Sequence, residues 1–275
     1  MEITNTFIKD SFNAYVRAVM SGTATHTQTI ERTPRQSMDK FHCSSCGKCP
    51  RAIVLQRAGV ETLKDLDLSL RNFANGITVE NWVRDGIKHA LNTKGCAFQG
   101  KFNQRVQSKD GEVVGEYDVI LQDTRRHLYD IKSCHEDKLD WGFDETYRKQ
   151  LGSYAMCEED AGRVVDTGGI AYCTKSTWRV VMDYFDLGSY TKQAREFWDV
   201  MRGHWDKFEN GGDLPPEIPM KLERSMYPKR RNFKTSGGNG MMPEWTCNPR
   251  WCRVAQHCPD IWAYWSSRPW DIEEA

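Results

Sequence analysis

Residues 113–133 read VVGEYDVIL, then QDTRRH, then LYDIKS. The outer pieces are rich in β-branched and aromatic residues and the middle piece is polar, so two strands joined by a turn are the economical reading. Within LYDIKS, Asp130 and Lys132 are two apart and share one face of the strand, while Tyr129 and Ile131 turn the other way into a core. Asp118 lies in the middle of the preceding strand, and the turn carries it to the same end of the sheet as Asp130. Two carboxylates and an amine then share one cleft. Close carboxylates repel and raise one another's proton affinity unless a cation intervenes. A metal removes that conflict, and a lysine whose pKa falls on partial desolvation can orient or help deprotonate an attacking water.

FNQRVQ at 102–107 predicts one more strand upstream of the pair. Before it, a helix is predicted over about 73–92, where Val79, Val83, Ile87 and Leu91 recur every four positions, with Glu80 flanking the stripe. Downstream, residues 144–158 look helical and place Gln150 and Tyr154 one turn apart on a shared face. GGIAYCT (168–174) and WRVVMDYF (178–185) form a second strand pair, and residues 188–209 another helix. A helix is also expected in the first twenty residues, followed by a polar loop over 21–40. After ENGGDLPPEIP (209–219) periodicity is lost until a Trp- and Cys-rich tail begins at Trp245, and no internal repeat is visible. Strands interleaved with helices predict an α/β domain with a mixed sheet flanked by helices on both faces, with a cysteine-bearing segment at each end.

Composition narrows the class. A chain of 275 residues that is 39% hydrophobic and 11% aromatic can bury a substantial core, which argues against a disordered chain. The opening MEITNTFIKDSFNAYVRAVM mixes charge into its apolar residues, so it offers neither a signal-peptide core nor a membrane span, and the expectation is a cytoplasmic protein. Ten cysteines in a reducing compartment point to metal binding or buried thiols rather than disulfides. The formal net charge is zero, so any polyanion must be held by a local patch. The run KLERSMYPKRRNFK (221–234), with Lys229, Arg230 and Arg231 at its centre, is the candidate DNA-binding patch, a solvated basic loop being the alternative.

Phosphodiester hydrolysis needs charge on the phosphate neutralised, a nucleophile made from water and the departing oxygen stabilised, all of which divalent cations serve. Magnesium and manganese prefer oxygen donors, so a few carboxylates and a carbonyl suffice on the protein side. Here the chain resembles the PD-(D/E)XK nucleases, and within them the RecB-like exonucleases. Gly115-Glu-Tyr-Asp118 resembles that family's Gly-x-x-Asp strand, and Asp130-Ile131-Lys132 its acid-x-Lys strand. Gln150-Leu-Gly-Ser-Tyr154 is similar to the Gln-x-x-x-Tyr helix of the RecB-like branch, and Gly76-Ile-Thr-Val-Glu80 resembles the helix whose acid completes the metal site. The resemblance implies a restriction-endonuclease-like fold in which Glu80, Asp118, Asp130 and the Ile131 carbonyl bind magnesium or manganese. It also implies that Lys132 is catalytic and that Gln150 and Tyr154 contact substrate or position the lysine.

The cysteines form two groups. CNPRWCRVAQHC places Cys247, Cys252 and Cys258 with gaps of four and five residues, unlike the paired Cys-x-x-Cys of structural zinc sites. Iron-sulfur clusters accept more varied spacing but need four thiolates. Near the N-terminus, Cys49-Pro50-Arg51 resembles the isolated Cys-Pro-Arg of cluster-bearing RecB-type nucleases, among them CRISPR-associated and phage-encoded enzymes and the AddB subunit. That likeness implies a [4Fe-4S] cluster on Cys49, Cys247, Cys252 and Cys258, which ties the two ends of the domain together. The family places two residues between the first two C-terminal cysteines where this chain has four. Cys43 and Cys46 extend the first group to Cys-x-x-Cys-x-x-Cys, leaving open a zinc site that draws on His42 or His257. Cys96, Cys134, Cys157 and Cys173 are expected to be packed thiols. Trp245, Trp251, Trp262 and Trp265 would shield a cluster or stack on single-stranded bases.

Together these readings predict one nuclease domain over 1–275, with its core at about 73–209 and a cysteine-bound lobe from about 41–60 and 245–265. The expected activity is hydrolysis of single-stranded DNA or DNA ends in recombination, repair or phage DNA processing, with recombination or replication proteins as partners. Two rivals stand beside it: a non-catalytic DNA-binding subunit of a recombination complex, and a cysteine-based metal- or redox-responsive protein.

Overall fold

The computed structural model describes residues 3–26, 39–62, 67–93, 98–140, 143–218, 221–222, 241–242, 247–248 and 252–266. For residues 67–73, 93, 140, 221–222 and 241–242 it describes the backbone alone. In chain order the elements are α1 (Phe7–Met20), β1 (Phe41–His42), α2 (Pro50–Arg57), α3 (Asp67–Thr93), β2 (Gln99–Gln107), β3 (Val113–Gln122) and β4 (Arg126–Cys134). They continue with α4 (Glu136–Asp140), α5 (Glu145–Asp160), β5 (Thr167–Thr174), β6 (Val180–Asp186), α6 (Gly188–Glu209), β7 (Lys221–Leu222), β8 (Met241–Met242) and α7 (Pro259–Ser266). A 3-10 turn at Cys43–Ser45 follows β1 directly. Among the described residues no helix is long and apolar enough to cross a membrane.

The chain divides into two compact units, residues 1–47 with 72–200 and residues 48–71 with 201–275. The first holds a six-stranded mixed sheet in the order β1-β3-β4-β5-β6, with β2 also paired to β3. The predicted hairpin is present, β3 and β4 pairing antiparallel from Val119↔Tyr129 to Gln122↔Arg126. So is the second pair, β5 with β6, while β4 and β5 run parallel from His127↔Thr167 to Cys134↔Thr174. β1 is an addition to the sequence reading, pairing parallel with β3 at Phe41↔Val113 and His42↔Val114.

Two helical layers cover this sheet. On one face, the predicted stripe Val79, Val83 and Ile87 of α3 packs with Ile8 and Phe12 of α1 against Val119, Leu121, Tyr129, Ile131, Ala171 and Cys173. Fully burying such aliphatic side chains is worth roughly 1.5–3 kcal/mol each, which is why the four-residue repeat is a strong helix signal. On the other face lies α5. Asp144 caps it by accepting the Thr146 amide at 3.0 Å, a contact worth about 1 kcal/mol. Beyond α5, Trp198 of α6 is wholly buried and donates its indole N–H to Ser153 Oγ at 2.7 Å.

Candidate active site

The strand pair does not alternate regularly through the site. Tyr117 meets Tyr154 of α5, with ring centroids 6.4 Å apart, whereas Val119, two residues on, packs under α3. Opposite this point the β2–β3 pairing skips from Phe102↔Val119 to Gln104↔Tyr117, and the skipped Asn103 has φ of 50°. The register is the same on both sides, so the ladder lapses at Asn103 and Asp118 without an inserted residue. Val114 is bonded to β2 on one side, so its bridge to β1 must use the other edge of β3. On that edge β1 ends at Val114 and β4 joins only at Val119. Asp118 therefore stands in a gap, and its Oδ2 accepts the Ile131 amide at 2.7 Å where a ladder bond would otherwise form. Past this point β4 leaves β3 and stays with β5, so the sheet splays open at the acids.

Into that opening the chain brings four of the predicted side chains. Asp130 is buried, its Oδ2 lying 2.7 Å from Nζ of Lys132 and lacking a hydrogen-bond partner of good geometry. Glu80, one position off the apolar stripe of α3, lies close enough to Asp118 to feel its charge, as Asp130 also does. Burial, followed by repulsion from Asp118, pushes the Glu80 carboxyl well above the usual range, with Arg84 and Lys132 opposing. Burial likewise raises Asp130, against the pull of Lys132 and with the Asp118 charge adding to the rise.

One expectation is corrected here. Lys132 is not brought down by desolvation: burial pulls in that direction, but Asp130 and Asp118 together outweigh it and hold the ammonium protonated. Gln150 and Tyr154 also take more specific places than the sequence shows. Gln150 Nε2 donates to Asp130 Oδ1 at 3.3 Å and to the Tyr154 hydroxyl at 2.9 Å, so this helix positions Asp130 directly. Tyr154 is buried, lies next to Cys43 and Gly115, and is tied to Asp130 through the Gln150 amide. A Cβ on Gly115 would sit 2.5 Å from the Tyr154 ring and 2.8 Å from Cys43 Sγ, which is the physical need for glycine at the head of the Gly-x-x-Asp stretch.

Two residues were missed by the sequence reading. Arg84 is buried one turn after Glu80, forms an ion pair with it and donates to Asn81 Oδ1 at 3.1 Å. Its i,i+4 spacing from Glu80 was a usable signal. Tyr147 of α5 places its ring 5.1 Å from the Lys132 ammonium, a contact that strand and helix periodicity do not announce.

The second unit holds Cys49, Cys247, Cys252 and Cys258. Pro50 opens α2, and Arg51 donates to the carbonyls of Pro215 at 3.0 Å and His257 at 3.2 Å, clasping the residue before Cys258. Cys252 and Cys258 are raised first by burial, Cys258 to about 11, and Cys49 contributes to both shifts. These three thiols are thus within electrostatic reach of one another. Cys247 and Cys258 share an apolar cluster with Ile261 and Trp265. Cys43 and Cys46 belong to the first unit, where Cys43 Sγ packs 3.9 Å from Cys157 Sγ. Burial and then Cys43 push Cys46 up to about 12. Among the described residues no three His, Cys, Asp or Glu side chains are already disposed around a point as a bound metal requires. Lys229, Arg230, Arg231, Cys96, Trp245 and Trp251 lie outside the described residues.

No protein-family model and no curated protein sequence matches this chain. Among solved structures it is similar to a protein named SSO0001, at 14% identity over 70% of this chain and 84% of that one, with a TM-score of 0.38. It is also similar to the alkaline exonuclease LHK-Exo of Laribacter hongkongensis, at 12% identity over 63% of this chain and 93% of that one, with a TM-score of 0.42. The same enzyme in complex with dAMP gives 12% identity, the same coverage of 63% and 93%, and a TM-score of 0.43.

Proposed function

We propose that this chain is a metal-dependent DNA nuclease of the PD-(D/E)XK type, most like the RecB-like exonucleases, acting on single-stranded DNA or on DNA with a free end. The observation that supports it is the gathering of Glu80, Asp118, Asp130 and Lys132 at the splay of β3 and β4. Three carboxylates close enough to repel one another, one of them with a buried oxygen lacking a hydrogen bond, are a donor set suited to a hard divalent cation. Glu80, Asp118, Asp130 and the Ile131 carbonyl would hold magnesium or manganese, which would supply charge neutralisation and water activation.

The chain's own residues do the rest. Gln150 fixes the Asp130 carboxylate, and Tyr154 fixes Gln150. Lys132, held as an ammonium, donates to the attacking water or to a phosphate oxygen and orients it. Arg84 keeps Glu80 aimed from the helix side. For the cysteine unit, the proposal is a structural [4Fe-4S] cluster on Cys49, Cys247, Cys252 and Cys258, with zinc as the alternative, soft thiolates fitting either.

The test is cleavage of an end-labelled single strand with magnesium or manganese, with chelator, and by Lys132→Ala. Removing a positioned proton-transfer or orienting group should lower the rate about 10²–10⁴-fold, and chelation should abolish it. Cleavage that persists undiminished in Lys132→Ala, or no cleavage by the wild type with either metal, overturns the reading.

A further inference from the structure

The rings that continue from Lys132 toward solvent have no part in the chemistry above. Lys132 and Tyr172 are register partners on adjacent parallel strands and so occupy the same face. Tyr147 stands over the ammonium at 5.1 Å and beside Tyr172 at 6.1 Å. Phe143 then stacks on Tyr172 at 5.2 Å with an interplanar angle of 20°, yet remains 43% exposed. Its backbone is pinned, because the next residue, Asp144, donates its amide to the Tyr172 hydroxyl at 3.2 Å and caps α5. Single exposed apolar side chains are ordinary. This one differs in being held in a stacking orientation, backed by a buried ring, at the outer end of an aromatic row that begins at a site residue.

We propose that Phe143, supported by Tyr172 and Tyr147, is a stacking platform for a nucleobase of a single strand whose phosphate lies at Lys132. The proposal rests on the nuclease reading and adds the substrate feature it selects. Every base has a π-face, so the platform is indifferent to sequence; bases stacked within a duplex present no free face, so it favours unpaired DNA. Lys132 takes the phosphate side of the nucleotide and Phe143 its base.

The experiment measures kcat and KM on single-stranded oligodeoxynucleotides, intact or with one abasic position moved along the strand, for the wild type, Phe143→Ala and Phe143→Tyr. Loss of one stack should raise KM roughly five- to hundredfold in Phe143→Ala while kcat changes little, and Phe143→Tyr should restore wild-type KM. At one abasic position the wild type should weaken by the same factor and Phe143→Ala should weaken no further. An unchanged KM in Phe143→Ala, or an equal loss on intact and abasic strands, overturns the platform. If the wild type cleaves nothing, the nuclease reading fails. Quenching of a 2-aminopurine strand then decides the platform alone: loss of quenching in Phe143→Ala supports it, and no quenching by the wild type overturns it.

Discussion

At Lys132 two effects of opposite sign compete, and the distance decides between them. Unit charges about 4 Å apart at an effective dielectric near 20 interact by about 4 kcal/mol, and the 2.7 Å approach of Asp130, reinforced by Asp118, exceeds the desolvation that would neutralise the amine. The acids bear the cost, since Glu80 and Asp130 are both held above the ordinary carboxylate range. Glu80→Gln relieves that repulsion, so with metal withheld at neutral to mildly alkaline pH the variant should melt above the wild type. Added manganese should then raise the wild-type melting temperature and move the variant less, as expected when ligand binds only the folded state. Equal shifts in both proteins would remove Glu80 from the ligand set. A contrasting carboxylate lies in the β3–β4 turn. Asp123 is lowered to about 2: burial opposes, but amide donors from Ile3 at 2.8 Å and Arg125 at 2.7 Å, together with His127, prevail. Its folded value lies below its unfolded one, so its contribution is present at neutral pH and is lost as pH falls from about 4 through about 2. Asp123→Asn should therefore lose about 1–2 kcal/mol at pH 7 in urea unfolding, and the gap to wild type should close near pH 2. A gap independent of pH would mean that shape, not charge, carries the effect.

Among the elements, long and strongly periodic ones were legible. The four-residue stripe of α3 and the alternation in β4 predict both the element and the face it buries, because burial on one side imposes the period. The lapse of pairing at Asp118 was not legible, since VVGEYDVIL reads as one even strand and a missing ladder pair leaves no mark in composition. Strand β1 was missed because two residues cannot display a period. Close approach of elements is a further property that only neighbours reveal. Gly152 in α5 lies against α6, where a Cβ would come 2.4 Å from the Tyr190 carbonyl oxygen. Alanine is the better helix former by about 1 kcal/mol, but backbone on the far side cannot yield as a side-chain tip can. Gly152→Ala should lose about 1–3 kcal/mol net in urea unfolding, and an unchanged midpoint would show that α6 can shift freely.

For the whole molecule, the cysteine unit makes a compositional prediction. Protein purified without oxygen should carry iron and sulfide in equal amounts with little zinc, and Cys49→Ser should lose both together with thermal stability; a colourless protein holding zinc would transfer the site to the alternative. Linking Cys49 to Cys247 spans a loop of about 200 residues, and the entropic gain from closing it grows only logarithmically with that length. The sequence alone carried the long periodic elements, the faces they bury and the order of the four candidate motifs, because each is a local pattern written in side-chain chemistry. Tertiary folding alone brings Glu80, 38 residues before Asp118, within reach of its charge, keeps Lys132 an ammonium, and sets Arg84 against Glu80 and Tyr147 over Lys132. Electrostatic coupling depends on distance through space and on excluded water, and neither quantity is a property of sequence separation.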